Sequence, residues 1–381
     1  MICCRRLFSL TLQLSLICAA LPAAAIAQST ADSLQAIRGV SHQAEGNAAA
    51  KEAYQSLIKH DRSVLPEVLK AFNGANPLAA NYLRSAFEVL VADGKGEIPV
   101  KELQAYLADR DNNQKARAMV FEYLSKQEPD KMNALLDNML DDPSAGIRYQ
   151  AVQKVIDQAK AFEKDGKQDQ AVAAYRRAME GATQESQVKA INEALKKAGV
   201  NVDLQQHFGL LTDWRIIGPF DNTDESAFDV VYPPEKELDF SATYDGKTGK
   251  VSWQVIGTDQ DMGTVDIAKS IAPHKGSVMY MYTEYISPEK QDVYVRMATS
   301  NAWKLWVNDE LVFAREEYHR GMRWDQYRVP VSFQKGRNRL LLKILQNEQT
   351  QSWAQDYSVQ FRITDESGKA LLPTESYDPA K

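Results

Sequence analysis

Two periodicities divide the chain. From about residue 30 to 200, apolar side chains recur three and four positions apart, which predicts amphipathic helices. From 208 onward they alternate, which predicts half-buried strands separated by turns. The helical part repeats as helix, polar turn, helix. SVLPEVLKAF passes through NGANP into LAANYLRSAFEVL. IPVKELQAYL passes through ADRDNN into QKARAMVFEYL, and DKMNALLDNML passes through DDPSAG into IRYQAVQKVID. Arg84, Arg117 and Arg148 occupy corresponding places, 33 and 31 residues apart. A pair of helices this small cannot bury its own apolar face, so such pairs are expected to stack.

In the alternating part the predicted strands are WRIIGPF, VSWQVIG, VMYMYTEYI, DVYVRMAT, WKLWVN, LVFA, QYRVPVSF, RLLLKILQ and DYSVQFRIT. Short Pro-, Gly-, Asp- and Asn-bearing loops join them, which implies antiparallel pairing in a sandwich. Helices do not alternate with these strands, so Rossmann and barrel enzyme folds are excluded. The first 27 residues carry a different pattern: Arg5 and Arg6, the apolar run LFSLTLQLSLICAAL, then Ala25-Ile26-Ala27. This is the order of a cleavable signal peptide, with Gln28 as the mature start and a periplasmic or secreted destination. No later run is long and apolar enough to span a membrane.

Composition sharpens this division. All six tryptophans lie beyond residue 205, and the helical part is rich in Ala, Leu, Lys and Gln. The expected parts are therefore a signal peptide (1–27), a helical array (28–204), a sandwich (205–372) and a disordered tail (373–381). Cys3, Cys4 and Cys18 all fall in the signal segment. The mature chain then has no disulfide, thiolate metal site or cysteine nucleophile. A net charge of −6 leaves no footprint for nucleic acid.

Several stretches resemble known families. LLDNMLDDPSAGIRYQAV is similar to a bacterial HEAT repeat, with acidic turn residues before an Arg that can bond the turn. The first unit has Asn73 where the Asp would be. Phe162, Gly166, Ala171, Tyr175 and Ala178 fall at the spacings of a tetratricopeptide repeat. Together these imply a right-handed α-solenoid. KLWVNDELV resembles the strand–turn–strand V-W-L-N-G-K-x-V of the jelly-roll domain in family 2 glycoside hydrolases and their galactose-binding-like relatives. QKGRNRLLLKI resembles that domain's companion segment, with Gly336 and Asn338 in structural roles. Asp309 stands where glycine is usual, in a turn that needs a left-handed backbone. Residues 208–370 also resemble a domain of secreted planctomycete-type bacterial proteins that is often joined to HEAT repeats. These resemblances imply a multidomain α + β fold, α-solenoid then antiparallel jelly roll, and an export route. They imply no established activity, and the motif marks the fold rather than a sugar contact.

Sugar recognition calls for an exposed aromatic face beside amides, carboxylates or Arg. Trp303 shares a face with Leu305 and Val307 and is expected in the core, whereas Trp306 points the other way. The loop AREEYHRGMRWDQY offers Tyr318, His319, Arg320, Arg323, Trp324 and Asp325, and the loop QNEQTQSW offers Asn347 and Trp353. The alternative is that these aromatics cap the sandwich end or dock the helical part. Glu316, Glu317 and His319 could be cast as acid, base and orienter. Adjacent carboxylates on an extended segment point to opposite faces, however, so no catalytic pair is expected.

Asp221 and Asp224, with Asn222 and Glu225, could hold a structural calcium; the alternative is a solvated acidic loop. VLVADGKGEIPVKEL has the outline of a calcium loop, with Asp93, Gly96 and Glu102 in place. Val91 and Lys95 occupy positions that need oxygen ligands, which favours an ordinary turn. The expected function is non-catalytic recognition of a carbohydrate or glycoconjugate, with the solenoid as a protein-contact scaffold. The alternatives are a structural adaptor of the envelope and a glycoside-hydrolase-associated enzyme.

Overall fold

The computed structural model describes residues 29–41 and 43–381, so the segment read as a signal peptide lies outside the described residues. The protein is a mixed α + β chain of two compact units, one ending at Ala116 and the other running from Arg117 to Lys381. The change of composition at 204/205 thus falls inside the second unit.

The first unit contains α1 (Thr30–Arg38), α2 (Asn47–Leu57), α3 (Leu65–Lys70), α4 (Pro77–Asp93), α5 (Val100–Ala108) and the start of α6 (Gln114–Gln127). Capping chemistry sets the helix starts. Ser29 accepts the amide of Asp32 at the head of α1, and Asn76 accepts that of Ala79 at the head of α4, whose first residue is Pro77. Leu83, Ala86, Phe87 and Leu90 form the buried stripe of α4 at helical spacing. The calcium-like loop after α4 is filled by a side chain. Arg62 donates to the carbonyls of Leu90 (3.1 Å), Val91 (2.9 Å), Ala92 (3.2 Å) and Gly96 (3.2 Å). A guanidinium therefore takes up backbone oxygens of the kind a metal would need. Gly94 allows this, because a Cβ there would lie 2.9 Å from Arg62 Cγ and 2.3 Å from the Leu90 oxygen.

The helices of the second unit after α6 are α7 (Pro129–Leu135), α8 (Ala145–Lys164), α9 (Gln168–Gly181), α10 (Glu185–Lys197) and α11 (Leu204–Phe208). The turn before α8 is tied by charge. Arg117 grips both carboxylate oxygens of Asp142 at 2.7 and 2.8 Å, and Arg148 donates to the Asp142 carbonyl at 2.8 Å. Arg117 and Asp142 are both almost wholly buried, the one setting in which such a pair is costly to break. Val152, Val155 and Ile156 of α8 pack with Ala171, Tyr175 and Ala178 of α9 and with Val188, Ile191 and Leu195 of α10.

The strands are β1 (Trp214–Asp221), β2 (Thr243–Gly246), β3 (Gly249–Ser252), β4 (Gln254–Ile256), β5 (Val265–Asp266), β6 (Ser277–Ser287), β7 (Gln291–Ala298), β8 (Ala302–Val307), β9 (Glu310–Arg315), β10 (Tyr327–Phe333), β11 (Gly336–Gln346) and β12 (Ser358–Thr364). Short helices α12 (Pro233–Lys236) and α13 (Ile267–Ser270) lie between them. One sheet has the order β4-β1-β6-β11-β8-β9, a second β10-β7-β12-β5, and β2 pairs with β3 alone; every pairing is antiparallel. The two larger sheets share a core. Met281, Trp303, Leu305, Leu342 and Ile344 of the first meet Val293, Val295, Val331 and Phe361 of the second.

The outer face of the six-stranded sheet is also covered. Ile217, Phe220, Tyr280, Tyr282, Leu341 and Leu345 pack under Phe228, Tyr232, Leu238, Phe240 and Trp253 from the long stretch after β1. Burial on both faces explains why β11 reads RLLLKILQ rather than a clean alternation. The last residues, expected as a disordered tail, are held against this sheet. Tyr377 accepts from Arg215 Nε at 3.1 Å and its ring packs 6.0 Å from Tyr282.

Candidate functional site

The aromatic and polar residues singled out in the sequence separate into three places. The first is the seam where α11 meets the four-stranded sheet, and it takes Trp324 and Asp325. Arg362 donates to both Asp325 oxygens, each at 2.8 Å, and Arg296 adds a contact of 2.7 Å. Arg296 also reaches Thr364 Oγ1 (2.7 Å) and the Glu366 carbonyl (2.9 Å). Burial on its own would raise the Asp325 carboxyl; the two guanidiniums outweigh it and hold the group below the usual carboxylate range. The Trp324 ring lies 4.5 Å from that of Phe208, tilted against it, and 4.6 Å from the Arg362 guanidinium. These groups are spent on one another and on docking the loop.

The second place is the end of the sheets, where loops after β1, β9 and β11 meet. His319 Nε2 lies 2.7 Å from Asn347 Oδ1, and Asn347 donates to Glu225 at 2.8 Å. Buried Asn222 donates to the Tyr318 hydroxyl (3.2 Å) and the Gln346 carbonyl (3.1 Å). Burial pushes the Tyr318 phenol up to about 12. Trp353 stands edge-on to His319 at 5.2 Å and is 61% exposed. It offers a flat aromatic face, but its polar neighbours already partner one another.

Nearby, Glu317 is gripped by Arg320 (3.1 Å to each oxygen) and Arg315 (3.0 Å), while Arg323 is exposed. His319 meets an amide and Glu317 two cations, so an acid–base–orienter trio does not assemble here. The proposed calcium loop is internally paired as well. Asp221 accepts Thr223 Oγ1 at 2.7 Å and lies 3.1 Å from Lys247 Nζ, contacts that lower its carboxyl, the Thr223 bond foremost. The backbone amide of Asp224 donates to Glu348. Among the described residues no group of three or more His, Cys, Asp or Glu is placed to hold a metal.

The third place is a cavity of about 420 Å³ on the outer face of the six-stranded sheet. Its size lies within the roughly 300–1,000 Å³ of small-molecule sites. Trp306 reaches it because strand alternation sends Trp303, Leu305 and Val307 to the shared core and Trp306 outward. Leu341 on β11 and Leu238 add apolar lining. The β8–β9 hairpin forms one rim. Asn308 (φ 52°) and Asp309 (φ 71°) are both left-handed, as a tight two-residue hairpin demands. Asn308 Oδ1 accepts the amide of Arg339 at 3.0 Å, and Asp309 pairs with the Arg339 guanidinium. Asp in the glycine position therefore brings an ion pair to the cavity edge. Sequence reasoning singled out Trp306 and took the rest of the motif as structural; Trp306, Asp309, Arg339 and Leu341 of the two motif segments all line the cavity.

The opposite wall is α12 and the residues after it. Glu235 Oε1 accepts from Lys343 Nζ at 2.9 Å and from the Tyr280 hydroxyl. Lys343, with no exposed surface, spends its other donors on the carbonyls of Val230 (2.6 Å) and Phe228 (3.1 Å). Burial lowers the Lys343 ammonium against the opposing pull of Glu235. Lys304 joins in, with Asp229 at 2.7 Å and the Phe228 ring at 4.3 Å. Two outward lysines thus pin the covering segment that forms the wall. Sequence reasoning missed Glu235, Lys343 and Arg339. The available signal was a lysine in the middle of the apolar run of β11.

Saturation sets this cavity apart. Among the described residues the Trp306 indole stacks on no ring, its N–H meets no protein acceptor, and the Glu237 carboxylate has no partner.

No protein-family model matches the chain, and no curated protein matches its sequence. Solved structures similar to part of it include a β-glucosidase from Kluyveromyces marxianus, at 12% identity and TM-score 0.25 over 40% of this chain and 16% of that one. The same enzyme in complex with glucose matches at 13% identity and TM-score 0.24, over 44% and 17%. A β-glucuronidase of an uncultured Clostridium sp. matches at 12% and 0.23, over 41% and 29%. The chain spans under a third of each of these proteins, and likeness at this level bears on neither activity nor ligand. No helix among the described residues is long and apolar enough to cross a membrane.

Proposed function

We propose that this is an exported, non-catalytic binding protein whose β-rich part recognises a carbohydrate or glycoconjugate in the Trp306 cavity. On this reading the helices form an α-solenoid of HEAT-like and tetratricopeptide-like units that serves as a scaffold for a protein partner. The sheets form a jelly roll, and the protein works in the periplasm or beyond. The tie of Arg148 to the Asp142 carbonyl supports the repeat reading, since this Arg bonds the turn that precedes it in its own unit, and Arg117 reaches the same Asp from the unit before.

The observation that carries the function is the Trp306 indole, without a hydrogen-bond or ring-stacking partner among the described residues, in a concave site whose wall keeps free polar groups. A pyranose presents an apolar face for stacking and a ring of hydroxyls for carboxylates and guanidinium, and this lining supplies both counterparts. The test is a glycan array with the intact mature protein beside its Trp306→Ala variant. Saturable binding lost in the variant supports the reading. Binding that survives Trp306→Ala moves the site elsewhere, and no binding at all by the intact protein favours the adaptor.

A further inference from the structure

Resting on the carbohydrate reading of the Trp306 cavity, the geometry points to Glu235 as the specificity-determining acceptor of a single neutral pyranose. Its side chain is only 9% exposed. Oε1 is taken by Lys343 and Tyr280, while Oε2 accepts from no protein group among the described residues. Oε2 is not sealed from solvent, so it opens onto space from which water or a ligand can donate to it. Glu235 lines the cavity, so that donor comes from the cavity. A ligand hydroxyl donating to Oε2 meets an acceptor already fixed in place by a buried lysine and a tyrosine. Little ordering is then left for binding to impose.

Charge selects the ligand class. The lining carries three carboxylates (Glu235, Glu237, Asp309) against two cations (Lys236, Arg339), and Lys343 behind the wall makes the balance even. A uronate brought against Trp306 approaches Glu235 and Glu237 with like charge. An amino sugar finds Glu235 and Asp309 already paired to Lys343 and Arg339, and the charge of Lys236 offsets that of Glu237. A neutral ring loses nothing by either. It lays its apolar face on Trp306 and Leu238, gives one hydroxyl proton to Glu235 Oε2, and accepts the indole N–H through a ring or hydroxyl oxygen.

The test uses the intact mature protein and tryptophan fluorescence, with the Trp306→Ala variant subtracting the five other indoles. The probes are methyl glycosides of neutral hexoses, glucuronate and glucosamine. The expected result is a neutral glycoside preferred by about tenfold or more over both charged sugars. Glu235→Gln is expected to weaken its binding about 10- to 100-fold, the range for a hydrogen bond to a charged group. That single change leaves Lys343 unpaired, so Glu235→Gln combined with Lys343→Met is the control that keeps volume and removes both charges. A folded double variant with the same loss supports the assignment. A folded double variant with wild-type affinity, or equal binding of glucuronate, overturns it while the carbohydrate reading stands. Silence of the wild type towards all three kinds of probe overturns that reading and this assignment together.

Discussion

The seam around Trp324 and the cavity around Trp306 are built from the same kinds of residue. Each has a tryptophan, a carboxylate and an arginine brought together by loops or neighbouring strands. At the seam the chemistry is closed: Asp325 is shared by Arg296 and Arg362, and the Trp324 ring packs against Phe208 with the Arg362 guanidinium over its face. At the cavity it is open: among the described residues the Trp306 N–H, the Glu237 carboxylate and one oxygen of Glu235 have no hydrogen-bond partner. Residue type does not separate a docking seam from the proposed recognition site. What separates them is whether donors and acceptors are already used.

That contrast is broken most forcefully at Asp325. Asp325→Ala leaves two nearly buried guanidiniums facing each other without their anion, a change expected to cost about 3–5 kcal/mol. Urea unfolding checks it, and sugar binding measured below the transition is expected to be unchanged. If the variant is as stable as the wild type, the seam is not closed in the sense described. The acid side gives the sign of the same interaction. The folded carboxyl lies below its unfolded value of about 3.9, so its stabilisation is complete above that pH and is lost as pH falls through the folded value. An acid-unfolding midpoint that does not move in Asp325→Asn counts against the pair.

At the cavity the expectation is reversed. Trp306→Ala removes a half-buried ring and is expected to weaken ligand affinity by about 2 kcal/mol or more, as central aromatic anchors do. The accompanying loss of stability is expected to be smaller than at Asp325. A glycan titration and a urea curve on the same sample compare the two numbers directly. A variant that loses stability but binds normally makes Trp306 a second seam. The first unit offers a further closed case. Arg62→Ala frees the carbonyls of Leu90, Val91, Ala92 and Gly96, with an expected loss of about 1–3 kcal/mol. Calcium is not expected to restore it, because Lys95 and Val91 sit where oxygen ligands are needed. Metal-dependent recovery in a thermal melt overturns that account.

Periodicity is local, and what it governs was legible. The helices from α3 to α9, strand β1 and the strands β6 to β12 carry patterns visible within ten or so residues. So does the hairpin at Asn308–Asp309, because left-handed backbone restricts residue choice. What was not legible depends on partners far along the chain. Arg62 fills a loop some 30 residues downstream, and Lys343 finds Glu235 108 positions upstream. PPEKEL reads as a surface loop, yet α12 becomes the cavity wall once two lysines on neighbouring strands pin the segment from Phe228 to Glu235. The ligand loops were mixed for the same reason. Trp324 and Trp353 look alike in sequence, and only tertiary packing gives one a phenylalanine and an arginine and leaves the other in solvent.

Trp353 makes the smallest prediction and the one that sharpens the contrast most. It is the most exposed large apolar residue of the described chain, at 61%, and it touches the ordered network only through the edge of His319. Exposure of this kind ordinarily has little bearing on stability, so Trp353→Ala is expected to shift unfolding by no more than about 0.5 kcal/mol. Ligand affinity is expected to hold as well, because Asn347, Asn222 and Tyr318 beneath it are already hydrogen-bonded within the protein. An aromatic platform needs free polar groups beside it to fix a sugar's orientation, and this one lacks them. If Trp353→Ala loses binding while Trp306→Ala keeps it, then a flat exposed ring outweighs an open cavity. The rule drawn from the two tryptophans would then fail in the protein that suggested it.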